Sequence, residues 1–202
     1  MRFKLGGIYV EISFLLLCLA AICVIVGIFR DFCYCTLAVL IHETGHIITM
    51  CMMGYFPERI KISLFEIAVT DPARQERTAR ENIRIIFFGP AANFICVLPG
   101  FLLYLWGMEK ALPFGAANLS VGLFNMLPVI SLDGGQLLTI WLCRRCSPSQ
   151  AEKIVCRLTF ISIFPLAALG FVVLFHSHYN FSLLFVCVYL IAALLTRQEK
   201  YY

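Results

Sequence analysis

The segment His42-Glu43-Thr44-Gly45-His46 contains the residue types best suited to chemistry in this sequence. Two histidines at positions i and i+4 lie about 40° apart around a helix, so both imidazoles can reach one ion from the same face. Glu43 points about 100° away from His42 and can lean toward a metal-bound water. This spacing predicts a zinc ion held by His42 and His46, with Glu43 as the general base.

The location of this motif indicates whether it occurs by chance or has a function. Its pattern of three required residues recurs by chance in soluble helices, but here it lies inside an apolar run from Phe32 to Met53. An ionisable side chain at the centre of a bilayer costs on the order of 2.5–3.5 kcal/mol, so three of them are improbable without a function. We therefore interpret the segment as a metal site within a membrane helix.

Composition identifies the class of protein, since 61% of the 202 residues are hydrophobic and 14% are charged. Such a chain is too apolar for an ordinary soluble domain. We predict an all-α polytopic membrane protein in the lipid bilayer, one domain over residues 1–202 with no appended regulatory or peptide-binding domain.

About six apolar stretches are long enough to cross a hydrocarbon core of about 30 Å. They are Ile8–Phe29, Phe32–Met53, Ile83–Trp106, Ala111–Leu142 with an interruption, Ile154–Phe175 and Phe181–Leu195. A cleaved signal peptide is the alternative for the first stretch.

The distribution of basic residues predicts the topology. All but two of the 16 Lys and Arg residues fall in alternate segments between the apolar stretches, and the two exceptions are Arg30 and Lys110. Basic loops stay in the cytoplasm, so both termini are expected on the cytoplasmic side. The basic bias is explained by this topology, and we predict no nucleic-acid partner.

A third zinc ligand is needed, because a catalytic zinc usually takes three protein ligands and leaves the fourth position to water. Apart from Glu43, Asp133 is the one acid held by strongly apolar sequence. Pro128 before it removes a helix hydrogen bond, and Gly134-Gly135 after it loosens the backbone. Such a break at membrane depth has to line an enclosed or watery cavity. We therefore predict Asp133 as the third ligand.

A short β element is predicted at the cytoplasmic surface between the second and third helices. Arg59–Leu64 alternates charged or polar with apolar residues, and Phe65–Thr70 continues with β-prone residues. This element is either a simple connector or an edge that pairs with an extended substrate.

Other candidate residues have simpler interpretations. Gly89-Pro90 indicates a kink with close helix packing, and Asn93 is expected to hydrogen-bond across helices.

His176 and His178 are interpreted as a pair in a solvated loop. Most of the ten cysteines lie in apolar stretches and act as small hydrophobes. The pairs Cys33/Cys35 and Cys143/Cys146 lack partner pairs for structural zinc, and oxidation of Cys33 and Cys35 is left open.

Three segments together resemble the signatures of the site-2 protease family of intramembrane zinc metalloproteases. They are Leu40-Ile41-His42-Glu43-Thr44-Gly45-His46, Gly89-Pro90-x-x-Asn93 and Asn125-x-x-Pro128-x-x-x-x-Asp133-Gly134-Gly135. Their order and spacing match the family. The most similar branch is the sporulation branch, the stage IV protease that activates a pro-sigma factor, because that branch has six spans and a similar surface strand at Arg59-Ile60-Lys61. Val129-Ile130-Ser131 departs from the family, which has prolines there, and the chain stops at Tyr202 without the regulatory module that this branch often carries.

The resemblance implies an intramembrane endopeptidase with one Zn²⁺ per chain, in a bacterial cytoplasmic membrane. It implies a membrane-tethered protein substrate cleaved near the cytoplasmic face, such as a pro-sigma factor in sporulation, and it leaves room for an inhibitory membrane partner. Asn125 is expected to position the substrate or to steady the developing oxyanion. The alternatives are a membrane zinc-binding protein or transporter without peptidase activity, and an inactive scaffold of the same fold.

Overall fold

The computed structural model describes residues 2–5, 8–62, 67–70 and 76–177, together with 187 and 191. Four strands and six helices follow one another along these residues. They are β1 (Arg2–Leu5), β2 (Ile8–Ile12), α1 (Phe14–Val26), α2 (Phe29–Met52), β3 (Arg59–Ile62), β4 (Ile67–Thr70), α3 (Ala79–Leu105), α4 (Ala111–Asn125), α5 (Asp133–Leu142) and α6 (Pro148–Ser177). The chain divides into two compact units, Met1–Leu123 and Phe124–Tyr202.

The four strands form one sheet in the order β1-β2-β3-β4. β2 pairs parallel with β3, and the two outer pairs are antiparallel. An ion pair of 3.9 Å between Glu11 and Arg59 joins β2 to β3. Strands are therefore present between α2 and α3, and their position at the cytoplasmic surface stays a prediction. The all-α classification needs correction, because β1 and β2 were not expected and the chain is mostly helical with a small sheet.

The prediction of six membrane spans is not confirmed. Among the described residues, three helices are long and apolar enough to cross a membrane, namely Phe29–Met52, Ala79–Leu105 and Pro148–Val172. The first stretch falls short because it begins as a strand and leaves a helix of 13 residues. The fourth is divided into helices of 15 and 10 residues. The sixth stretch, Phe181–Leu195, lies outside the described residues except for Cys187 and Ile191.

The boundary between the first two helices also differs from the prediction, which placed the break at Arg30-Asp31. α1 ends at Val26 and is capped by Gly27, whose φ of 82° is a left-handed conformation that glycine adopts without strain. Both charged residues therefore belong to the start of α2, with Asp31 in its first turn. An acid there faces the positive end of the helix dipole, which is a favourable position.

The start of α3 is held by a capping box. The side chain of Thr78 accepts a hydrogen bond from the backbone N–H of Glu81, and the Glu81 carboxylate accepts one from the backbone N–H of Thr78. The Tyr55 hydroxyl donates to Glu81 at 3.5 Å, and the Arg77 guanidinium lies 4.6 Å from the centre of the Tyr55 ring. These contacts fasten the segment after α2 to the first turn of α3.

In the second unit, a bend over residues 126–132 joins α4 to α5. Val129 is fully buried in an apolar cluster with Ile163, packed against Phe124, Leu127 and Leu132. The backbone N–H of Ile130 donates to the buried hydroxyl of Thr159 on α6 at 3.0 Å. The bend is thus a packed and hydrogen-bonded structure.

Candidate metal centre

His42 and His46 present their imidazoles to the same point. Their Nε2 atoms are 3.1 Å apart, and the two rings stand nearly perpendicular with centroids 4.7 Å apart. His42 is 4% exposed. The predicted one-face arrangement of the two histidines is therefore present in α2.

The other nitrogen of each ring has a partner on α3. Nδ1 of His46 lies 2.8 Å from the backbone carbonyl oxygen of Ile85, and Nδ1 of His42 lies 2.9 Å from Oδ1 of Asn93. A carbonyl oxygen only accepts, so Nδ1 of His46 must carry the proton. The same holds for His42, because the Asn93 amide nitrogen is already directed to the Ala38 carbonyl and to Asn118.

These protonation sites decide what the facing nitrogens can do. With a proton on each Nδ1, both neutral rings direct an Nε2 lone pair into the same space. Two lone pairs 3.1 Å apart repel each other unless a cation lies between them. Two nitrogens bound at 2.0–2.1 Å to a tetrahedral zinc would be about 3.3 Å apart, and metal-bound histidines usually donate their second N–H to a carbonyl or carboxylate. The pair fits zinc by both tests.

Close packing of α2 on α3 makes these contacts possible. A Cβ at Gly45, inside the motif, would overlap the Phe88 carbonyl oxygen and come within 2.9 Å of Ala92. A Cβ at Gly89 would overlap the imidazole of His46. Pro90, next to Gly89, has no N–H to donate to the preceding turn of α3. The two glycines thus serve the close helix approach that was expected at Gly89-Pro90.

Glu43 follows His42 on α2 and is half-buried. Its place in the helix turns it away from the face that His42 shares with His46. This placement agrees with a residue beside the pair rather than a third ligand of it. Its role as a general base stays a prediction.

Asp133 and Asn125 belong to the second unit. Asp133 is the first residue of α5 and is 8% exposed, whereas Asn125 is the last residue of α4 and is half-buried. A Cβ at Gly134 would overlap the Met126 carbonyl, and one at Gly135 would overlap that of Val129. The glycines therefore do more than loosen the backbone, because they let the first turn of α5 lie directly on the bend before it.

The remaining candidates show no metal geometry in the described part of the chain. Cys33, Cys35 and Cys143 are exposed free thiols, and the Cys146 thiol donates to the Leu142 carbonyl at 3.2 Å. Partial desolvation by the surrounding protein, and then the neighbouring Cys146, raise the pKa of the Cys143 thiol, which disfavours the thiolate that zinc requires. His176 is in α6, and His178 lies outside the described residues.

Sequence reasoning missed Asn118 and did not anticipate the Ile85 carbonyl. Asn118 is fully buried on α4 and accepts a hydrogen bond from Asn93 at 3.0 Å. Its signal was an amide inside the apolar stretch from Ala111 onward, but only acids were enumerated there. A main-chain carbonyl has no sequence signal at all.

Comparison with known proteins agrees with this chemistry. Residues 106–166 match the model of peptidase family M50. The matched segment contains Asn125, Asp133 and the two glycines after it, and it does not include the histidine motif.

Two curated relatives are similar over a longer part of the chain. Rip3 of Mycobacterium tuberculosis is 31% identical over 126 residues, which is 58% of this chain and 32% of Rip3. The Synechocystis protein sll0528 is 27% identical over 110 residues, 50% of this chain and 28% of that protein. Both are named as candidate zinc metalloproteases, and this chain spans about a third of their length.

A solved structure shows the same fold. The site-2 protease of Methanocaldococcus jannaschii matches with a TM-score of 0.71 at 20% identity, over 100% of this chain and 96% of that one. The family model, the relatives and the fold together support peptidase family M50. The sporulation branch receives no support of its own from them.

Proposed function

We propose that this protein is a zinc-dependent intramembrane endopeptidase. In this proposal His42, His46 and Asp133 hold one zinc ion per chain, and Glu43 is the acid–base residue. The observation that carries it is the pair of facing Nε2 atoms, each in a ring whose other nitrogen is bound as a donor. Two imidazoles and a carboxylate form a donor set that zinc takes in catalytic sites.

Bound zinc would supply Lewis acidity, polarising a peptide carbonyl and lowering the pKa of water toward about 7. The protein residues do the rest. Asn93 and the Ile85 carbonyl keep the two rings in the ligating tautomer. The Glu43 carboxylate accepts the proton of the attacking water and returns it to the leaving amine. Asn125, at the end of α4, positions the substrate carbonyl.

The substrate of this proposal is a membrane-tethered protein that is cut near the cytoplasmic face. A peptide bond within a helix is shielded by its neighbours, so the substrate must be extended at the cut. The sheet supports this step, because β1 and β4 are the outer strands among those that the structure describes and can add a strand by main-chain hydrogen bonds. The resemblance alone supports a pro-sigma factor of sporulation as the substrate and an inhibitory partner. The charge distribution supports a multi-pass topology with cytoplasmic termini.

Glu43→Gln tests the function directly. Co-expression with tethered pro-proteins should show cleavage by the wild type and a loss of about a hundredfold or more for Glu43→Gln, because general acid–base catalysis contributes about 10²–10⁴-fold. Zinc content of the purified variant should stay at the wild-type level, since Glu43 is not a ligand. Glu109→Gln, at an exposed glutamate between α3 and α4, is the matched control and should cleave normally.

Two results would contradict the proposal. Glu43→Gln that still cleaves would remove the acid–base role. A wild type that holds zinc, cleaves nothing and moves zinc across vesicle membranes would favour the transporter.

A further inference from the structure

A chain of buried amides leads from the main chain of α4 to the first histidine of the metal centre. Asn118 donates through Nδ2 to the Phe114 carbonyl at 3.0 Å, and its Oδ1 accepts from Nδ2 of Asn93 at 3.0 Å. Oδ1 of Asn93 then accepts from Nδ1 of His42 at 2.9 Å. Asn93 and Asn118 are both fully buried.

The direction of this chain is fixed at its far end, and the Ala38 carbonyl, which accepts from the Asn93 nitrogen, fixes it in the same sense. The Phe114 carbonyl can only accept, so the nitrogen of the Asn118 amide must face it and the oxygen must face Asn93. The Asn118 oxygen needs a donor, so the amide nitrogen of Asn93 must face it. The amide oxygen of Asn93 is then left to face His42. The His42 proton is thereby placed on Nδ1, and Nε2 keeps the lone pair that a metal needs.

Helix packing brings the two amides together. The buried residues of α4 are Gly115, Asn118 and Gly122, which lie on one face because they are three and four positions apart. A Cβ at Gly122 would come within 3.3 Å of the Asn93 Cβ, and a Cβ at Gly100 of α3 would come within 3.0 Å of the Gly115 Cα. This glycine face lets α4 approach α3 until Asn118 reaches Asn93.

We propose that Asn118 is a positioning residue of the metal centre, which holds the Asn93 amide in the orientation that keeps the His42 proton on Nδ1. The proposal rests on the proposed function for the identity of the metal. Without Asn118, the Ala38 carbonyl alone holds the nitrogen side of Asn93, at 2.8 Å. Loss of Asn118 therefore removes one of the two contacts that disfavour the flipped Asn93 amide, and that flip would move the His42 proton to Nε2.

The test measures zinc affinity of the full chain in detergent, by competition with a chelator of known affinity. Asn118→Leu removes both hydrogen bonds at similar volume and should weaken zinc binding about tenfold, the lower end for partners of metal ligands. Asn118→Asp keeps an acceptor toward Asn93 and should restore most of the affinity. Leu119→Ala, a neighbour that is 41% exposed, is the control and should bind as the wild type.

A double variant separates positioning from packing. Because Asn118 acts through Asn93, Asn93→Leu/Asn118→Leu should bind zinc no more weakly than Asn93→Leu alone. Losses that add, or an Asn118→Leu variant within twofold of the wild type, would overturn the proposal. So would Asn118→Asp binding as weakly as Asn118→Leu. Nitrogen-15 shifts of His42 in the metal-free protein give a readout that lost packing alone would not move, with Nδ1 protonated in the wild type and a tautomer mixture in Asn118→Leu.

Affinity and cleavage separate the two proposals. Zinc affinities in the expected order, with no cleavage by the wild type, would support the role of Asn118 and contradict the peptidase. Normal cleavage and zinc binding by Asn118→Leu would overturn the role of Asn118 and leave the peptidase standing.

Discussion

The histidine pair and the first turn of α5 are positioned by different kinds of contact. His42 and His46 are oriented by side-chain and carbonyl partners on a neighbouring helix. The start of α5, where Asp133 lies, is placed by main chain packed on main chain, which Gly134 and Gly135 allow. An imidazole ligates through only one nitrogen in a given tautomer, whereas a carboxylate has two equivalent oxygens. Hydrogen-bond direction therefore matters most in the first region and backbone position in the second.

Loss of the proposed ligand in either region should have the largest effect. Asp133→Ala and His46→Ala are both expected to abolish cleavage and to lower zinc content after purification to a small fraction of the wild-type value. Metal analysis of detergent-purified protein checks this. Wild-type occupancy in Asp133→Ala would remove Asp133 from the site and break the comparison.

Adding a methyl group should affect the two regions differently. A Cβ at Gly135 meets main chain that has no free rotation, so Gly135→Ala should lower the free energy of unfolding by about 1–3 kcal/mol. A Cβ at Gly89 meets the His46 ring, which can rotate only by giving up its bond to Ile85. Gly89→Ala should therefore weaken zinc binding while leaving the melting temperature near the wild-type value. Melting curves measure the stability of each variant, and chelator competition measures its zinc affinity. The same changes in stability and in zinc affinity for both variants would contradict the difference between the two regions.

The smallest expected effect on zinc affinity concerns the bend before Asp133. Thr159→Val removes the hydroxyl that accepts the buried Ile130 N–H and should cost about 1–3 kcal/mol of stability. Zinc affinity is expected to fall less than in Asn93→Leu, because the bend is also held by apolar packing. Thr159→Ser, which keeps the hydroxyl, is the control. A larger zinc loss in Thr159→Val than in Asn93→Leu would mean that hydrogen bonding also dominates the second region.

The sequence by itself determined which residues are candidates for the proposed metal centre. Ionisable groups stand out in apolar stretches because each is costly there, which identified the histidine motif and singled out Asp133. The proline and glycine residues predicted the break before α5 for a local reason, their effect on the backbone. Hydropathy averages over many residues, however, so it merged the short strand β2 with the apolar helix that follows it.

Only the tertiary structure decided how the histidines are oriented. Asn93 lies 51 positions from His42 and 25 from Asn118, and the partner of His46 is a main-chain carbonyl. Helical periodicity specifies which face a residue occupies, but it does not specify which residue of another helix meets that face. Which residues of two helices come into contact depends on how closely the helices approach, and glycines at the contacts determine the distance between the helices. The sequence therefore predicted the two histidines as ligands, and packing gave each ring an Nδ1 partner that leaves Nε2 for the proposed metal.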